Sequence, residues 1–186
     1  MEQELFSACA LGKWPEINAL LKEPNVNINC QDAEGATPFF IACREGQIRV
    51  VKLLLSDERV DVNLPDCEGR TPFFWASFRG RHEVAKLLVS CDRVDITKPN
   101  KIGETPFLVA CQLGHTFVVQ YILACGKEIN MVVDNLTGMT ALEVARERDK
   151  EAVADLLESF TTDPVTIRTE LRKRLGFSGN FFFFFF

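Results

Sequence analysis

The stretch GRTPFFWASFRGR, residues 69–81, places four aromatic rings, Phe73, Phe74, Trp75 and Phe78, within six positions. Such a cluster reads either as the lining of a ligand pocket or as packing imposed by a repeating architecture. The flanking sequence favours the second reading. GATPFFIACREG (35–46) and GETPFLVACQLG (103–114) start 34 residues before and 34 residues after GRTPFFWASFRG (69–80). Each is followed by an apolar-periodic segment: IRVVKLLL (48–55), EVAKLLV (83–89) and FVVQYIL (117–123). Each segment then runs into RVDVN (59–63), RVDIT (93–97) or KEIN (127–130). GMTALEVARERD, beginning at Gly138, is a degenerate copy. The N-terminal MEQELFSACALGKWPEINALLKEPNVNIN is another, lacking the Thr-Pro start. The sequence therefore predicts five units with atypical ends, as stacked arrays require.

Every copy carries its own folding signals. Thr37, Thr71 and Thr105 are suited to cap a helix whose first position is Pro38, Pro72 or Pro106. Gly46, Gly80 and Gly114 permit the left-handed conformation that ends such a helix. A second helix follows, with apolar residues at helical spacing. Asp32 with Gly35, and Asp66 with Gly69, mark a turn before the Thr-Pro. A helix of about eight residues is marginal alone in water, so it must bury a face against the next copy.

Composition narrows the function classes. Of 186 residues, 47% are hydrophobic and 25% charged, normal for a globular chain. A formal charge of −5 argues against a general nucleic-acid binder. No run of about 18 apolar residues predicts a membrane span. The first residues lack a basic region followed by an apolar stretch, so a secretory signal is not expected. Seven cysteines without CxxC pairs read as reduced thiols of the cytosol or nucleus. With two histidines, His82 and His115, no metal site is expected, because Cys111 and His115 are separated by the break at Gly114. No phosphate-binding, nucleophile-elbow or metalloprotease motif occurs. Neither an enzyme nor a cofactor is expected.

The pattern D-x-x-G-x-T-P, then A-C or A-S, then G, V-V-K-L-L-L and V-D-V-N resembles the ankyrin repeat over roughly residues 1–160. The period of 34 also fits tetratricopeptide repeats. The Thr-Pro start and the turn-rich VDVNLPDCEG connection favour ankyrin, whose two-helix unit ends in a β-turn finger. The expected fold is all-α: an ankyrin solenoid of about five helix pairs with β-turn fingers, plus a C-terminal helix. The units are roughly 1–31, 32–65, 66–99, 100–134 and 135–160. Phe40, Phe74, Leu108 and Glu143 stand where the family's Thr-Pro-Leu-His has histidine, so the hydrogen bonds of that histidine are missing. His115 matches the family's Gly-His, a structural position. Asn63, ending LLLSDERVDVN, resembles an asparaginyl-hydroxylation context seen in ankyrin proteins, although the same residues are structural.

The resemblance implies a monomeric interaction module, binding another protein on the concave face made by fingers and first helices. By position, the finger residues are Ala33, Glu34 and Ala36; Cys67, Glu68 and Arg70; Lys101, Ile102 and Glu104; Leu136, Thr137 and Met139. The first helices add Arg44, Glu45, Phe78, Arg79, Gln112 and Leu113. The partner-binding set expected is Arg44, Glu68, Arg70, Phe78, Arg79, Ile102, Gln112 and Leu113, a mixture of aromatic, aliphatic and Arg character that suits an interface. Phe73, equivalent to Phe39 and Phe107, is expected in the core. So is Trp75, equivalent to Ile41 and Val109, provided its N–H finds a partner. Phe78 aligns with Arg44 and Gln112 and reads as a binding anchor or as a half-buried edge. Cys9, Cys43, Cys111 and Ser77 share a small-residue packing slot, and Cys67 is the thiol expected to be exposed.

Residues 161–176 predict one more helix, with Asp163 as N-cap, Pro164 first and Gly176 at the end. Ile167, Leu171 and Leu175 form one apolar stripe, and Arg168, Arg172, Lys173 and Arg174 supply charge, cationic near the C-terminus where the helix dipole favours it. The helix reads as a cap on the last repeat or as a basic amphipathic binding element. With the Phe-rich tail 177–186, that element gives a second reading: membrane-surface contact or self-association. Six phenylalanines are too few to span a bilayer.

Overall fold

A computed structural model describes residues 1–131 and 138–177. Eleven helices form among the described residues, with no strand. Five pairs follow the repeat: α1 (Glu2–Leu11) with α2 (Trp14–Leu20), α3 (Pro38–Glu45) with α4 (Ile48–Leu55), α5 (Pro72–Phe78) with α6 (His82–Val89), α7 (Pro106–Leu113) with α8 (Thr116–Cys125), and α9 (Ala141–Glu147) with α10 (Glu151–Thr162). The helix α11 (Pro164–Leu175) follows. First helices stack in the order α1–α3–α5–α7–α9, and second helices in the order α2–α4–α6–α8.

The start signals operate as the sequence implies. Thr37, Thr71 and Thr105 hydroxyls accept from the backbone N–H of Phe40, Phe74 and Leu108, each at the third helical position. Thr140 and Glu143 close a reciprocal capping box, which explains a carboxylate in the degenerate unit.

Three ladders of hydrogen bonds tie the first four units together. The residue after the glycine break reaches back to the preceding first helix: Gln47 Nε2 donates to the Ala10 carbonyl (2.8 Å), Arg81 Nε to Arg44 (3.1 Å), and His115 Nε2 pairs with the Phe78 carbonyl (3.0 Å). His115 is thus structural here. Gly80 lies under that imidazole with φ of +63°, and a Cβ there would sit 2.5 Å from Nδ1, so only glycine fits. The fingers pair through their backbones, Cys67 N–H to Glu34 O (2.8 Å) and Lys101 N–H to Glu68 O (3.0 Å). Between second helices and fingers, Asn29 donates to Arg59 O and accepts from Asp61 N–H, and Asn63 repeats this with Arg93 O and Asp95 N–H. Both ends of the Asn63 amide are therefore engaged.

The core runs the length of the array. Phe39, Phe73 and Phe107 are each at most 2% exposed, as expected for the equivalent inward position. Cys9, Cys43, Cys111 and Ser77 are fully buried in their common slot. All seven cysteines are free, and Cys67 is exposed. Burial pushes the Cys9 thiol up to about 12 and raises Cys43 and Cys111 well above the usual thiol range. Ser77 Oγ, alone in that slot in needing a strong hydrogen bond, has none among the described residues.

The C-terminal helix docks further back than the last repeat. It lies against α8 as well as α10. Asp163 accepts from Thr166 N–H as the N-cap, and Gly176 closes the helix at φ 69°. Leu171 is buried at 3% exposure, with Ile167 and Leu175 packed beside it. Arg168 donates to the Leu123 carbonyl (3.1 Å) and lies over Phe160, while Phe177 meets Tyr121 edge-on.

Candidate functional site

The finger turns are built by one acidic or amide side chain per unit. Asp32, Asp66 and Asn100 each accept two backbone N–H bonds through Oδ1, from Glu34 and Ala36, Glu68 and Arg70, and Ile102 and Glu104. This closes each finger turn on itself.

Asp66 does more than its counterparts. Its second oxygen accepts from Arg70 Nε (2.7 Å) and from Trp75 Nε1 (3.1 Å). The carboxylate is 7% exposed and the Arg70 guanidinium lies 4.8 Å over the Trp75 ring. The indole N–H thus has its partner, but Trp75 is only half-buried, which corrects its expected place in the core. The physical reason is volume: the slot holds Ile41 and Val109 in neighbouring units, so the larger indole projects toward the fingers. There it touches Phe40 edge-on at 6.1 Å and Phe78 at 5.3 Å. Arg44 and Arg79 also approach its ring, at 6.0 and 5.6 Å. Three guanidinium groups surround one indole, at distances where cation–π attraction operates.

Phe78 is 39% exposed, so its ring is neither free nor sealed. Phe74 is buried at 2%. With Trp75 they wall a cavity of about 170 Å³, completed by Glu68, Arg70, Asn100, Ile102 and Glu104. Two adjacent fingers and α5 therefore converge on one place. Four expected partner-binding residues line this cavity: Glu68, Arg70, Phe78 and Ile102. Arg44 and Arg79 flank it through Trp75. Gln112 and Leu113 lie apart on α7; Leu113 is 42% exposed and Gln112 half-buried. Ala36, expected among the finger contacts, is 1% exposed and packs with Phe40 and Ile41. Leu136 and Thr137 lie outside the described residues.

The charges are unevenly committed. Arg70 is paired with Asp66, and Arg44 with Glu45 at 2.8 Å. Among the described residues Arg79, Glu68 and Glu104 make no ion pair. Glu104 accepts a hydrogen bond from Asn100 Nδ2 at 2.9 Å. Trp75 and Phe74 were missed by sequence reasoning as site residues. The available signal was the substitution of a bulky indole where the sister units carry Ile41 and Val109.

No group of three or more metal-binding side chains occurs among the described residues. No described helix is long and apolar enough to cross a membrane. A family model for ankyrin repeats, three copies, matches residues 5–100 and 93–167. No curated protein matches the chain.

Proposed function

From the premise that the chain belongs to the ankyrin-repeat family, we propose that it is a protein-binding module working through the middle of its finger and first-helix face. Ankyrin repeats are generally protein–protein interaction modules and typically not enzymes. The observation that carries the proposal is the pair Phe78 and Arg79. An aromatic ring 39% exposed is held against Trp75 by its neighbours, and beside it stands an exposed guanidinium without an ion pair among the described residues. Aromatic and Arg side chains at the centre of a pre-formed patch are the usual anchors of an interface. Arg79 would pair with a carboxylate of the partner, and Phe78, Ile102 and Leu113 would take its apolar groups. Seven free thiols fit a reducing compartment, the cytosol or nucleus.

The second reading, a membrane-surface or self-association element at residues 163–186, has less support. The apolar stripe of α11, Ile167, Leu171 and Leu175, is spent on docking to α8 and α10, and residues 178–186 of the Phe-rich tail lie outside the described residues.

The experiment is quantitative capture of partners from native lysate on full-length protein, followed by affinity measurement. Phe78→Ala and Arg79→Ala should each weaken binding at least tens of times, as truncation of an anchor costs about 2 kcal/mol or more. Glu34→Ala, at the edge of the face, should change little. A partner indifferent to both anchors, yet lost when the exposed Lys173 and Arg174 are reversed to Glu, would move the function to α11.

A further inference from the structure

The cavity over α5 carries a charge opposite to that of the rim beside it. Its rings are those of Phe74, Trp75 and Phe78, and its mouth is formed by fingers 66–70 and 100–104. Arg70 is the one cation in the lining, and the buried Asp66 neutralises it. That leaves Glu68 and Glu104. Neither makes an ion pair among the described residues, and Asn100 occupies one Glu104 oxygen while the rest of that carboxylate stays available. Two carboxylates without an ion pair among the described residues therefore stand beside three aromatic rings. Beside Trp75 stand two further guanidinium groups, Arg79 without an ion pair among the described residues and Arg44 shared with Glu45.

We infer that this cavity is a subsite for a basic side chain, Arg or Lys, projecting from an extended segment of the partner, with an acidic residue of the same segment placed against Arg79. The inference rests on the finger and first-helix face being the binding surface, and adds which partner chemistry it selects. About 170 Å³ is below the roughly 300–1,000 Å³ of small-molecule sites, so the cavity fits one side chain and not a cofactor. A long basic side chain satisfies every wall at once. Its methylene stem lies along Ile102 and Phe78, and its cation meets the carboxylates with a ring face near it. An acidic side chain would be driven against two like charges. A purely apolar one would cover Glu68 and Glu104 and strip their water without returning a partner. The Trp75 ring is already approached by three guanidinium groups, so the incoming cation belongs on the Phe74 and Phe78 side. The carboxylates at the cavity and the guanidinium of Arg79 give the two ends of the segment opposite charge preferences. The reversed segment would set like charges together at both ends.

The test uses a random dodecapeptide library displayed on phage, selected on full-length wild type, on Phe78→Ala and on the double variant Glu68→Gln, Glu104→Gln. The amide at 104 still accepts from Asn100, so the finger keeps its internal bond. Thermal unfolding of each variant checks the fold. Wild type should enrich peptides with Arg or Lys at a fixed register. The double variant should lose that preference and bind the wild-type peptides about tenfold more weakly, as for a close interfacial charge pair. Glu68→Lys, Glu104→Lys should exchange the preference for an acidic residue. Peptides that need Phe78 but carry no basic residue, or ignore the carboxylates, would overturn the subsite and leave the face intact. Failure to enrich any peptide, or enrichment indifferent to Phe78, would overturn the face and the subsite with it.

Discussion

Phe73→Ala and Phe78→Ala, five residues apart on α5, should differ in cost by about 1–4 kcal/mol. Phe73 is 1% exposed and belongs to the continuous core. Emptying such a site forfeits transfer energy and leaves a cavity, at about 3–5 kcal/mol in all. Phe78 is 39% exposed, so about three-fifths of its ring is covered. Three-fifths of the roughly 2.5 kcal/mol of a buried aromatic is about 1.5 kcal/mol. The edge-on contact with Trp75 at 5.3 Å adds about 0.5 kcal/mol. No sealed void forms, because water reaches the vacated space. Area bookkeeping against an extended chain is an upper bound, which sets the expected loss at about 1–2 kcal/mol, more than a freely exposed ring would cost. Guanidinium titration followed by far-UV circular dichroism measures both. Tryptophan fluorescence would mislead, since removing Phe78 alters the surroundings of Trp75. Equal losses at unchanged slope would refute the inward and outward assignment of the two rings.

Two further outcomes follow from the shared packing slot. Ser77→Ala removes a buried hydroxyl without a hydrogen bond and should be neutral or stabilising by up to about 1 kcal/mol in a thermal melt; a loss above that would mean the hydroxyl has a partner. The buried thiols make the fold sensitive to alkali. Cys9, Cys43 and Cys111 have raised values when folded, so above about pH 9 the unfolded chain releases thiol protons that the folded chain keeps. Stability is whole below that pH and falls as pH rises toward about 12, by up to about 1.4 kcal/mol per pH unit for each thiol. Denaturant midpoints between neutral pH and pH 10 should show Cys43→Ala losing stability less steeply than wild type, and parallel curves would contradict a buried thiol at 43.

The sequence by itself determined the repeat. A 34-residue period with Thr-Pro starts, glycine stops and helical apolar spacing is local information, because capping and backbone conformation depend on residues a few positions apart. It also placed Phe39, Phe73 and Phe107 inside, since equivalent residues of a stacked array meet equivalent surroundings. Tertiary structure decided what departs from the repeat. Trp75 looked interior by alignment, but a neighbouring unit's slot sets the available volume, and the indole is pushed out to meet Asp66 on its own finger and Phe40 on the preceding helix. Ala36 looked like a finger contact, but the packing of Phe40 and Ile41 covers it. The helix at Pro164–Leu175 was legible as a helix, while its seat on α8 depends on which face of the fourth unit stays uncovered. The candidate site was half legible. Its residues can be named by position, but the pairing that neutralises Arg70 and leaves Glu68, Arg79 and Glu104 without an ion pair among the described residues exists only where fingers 66–70 and 100–104 close over α5.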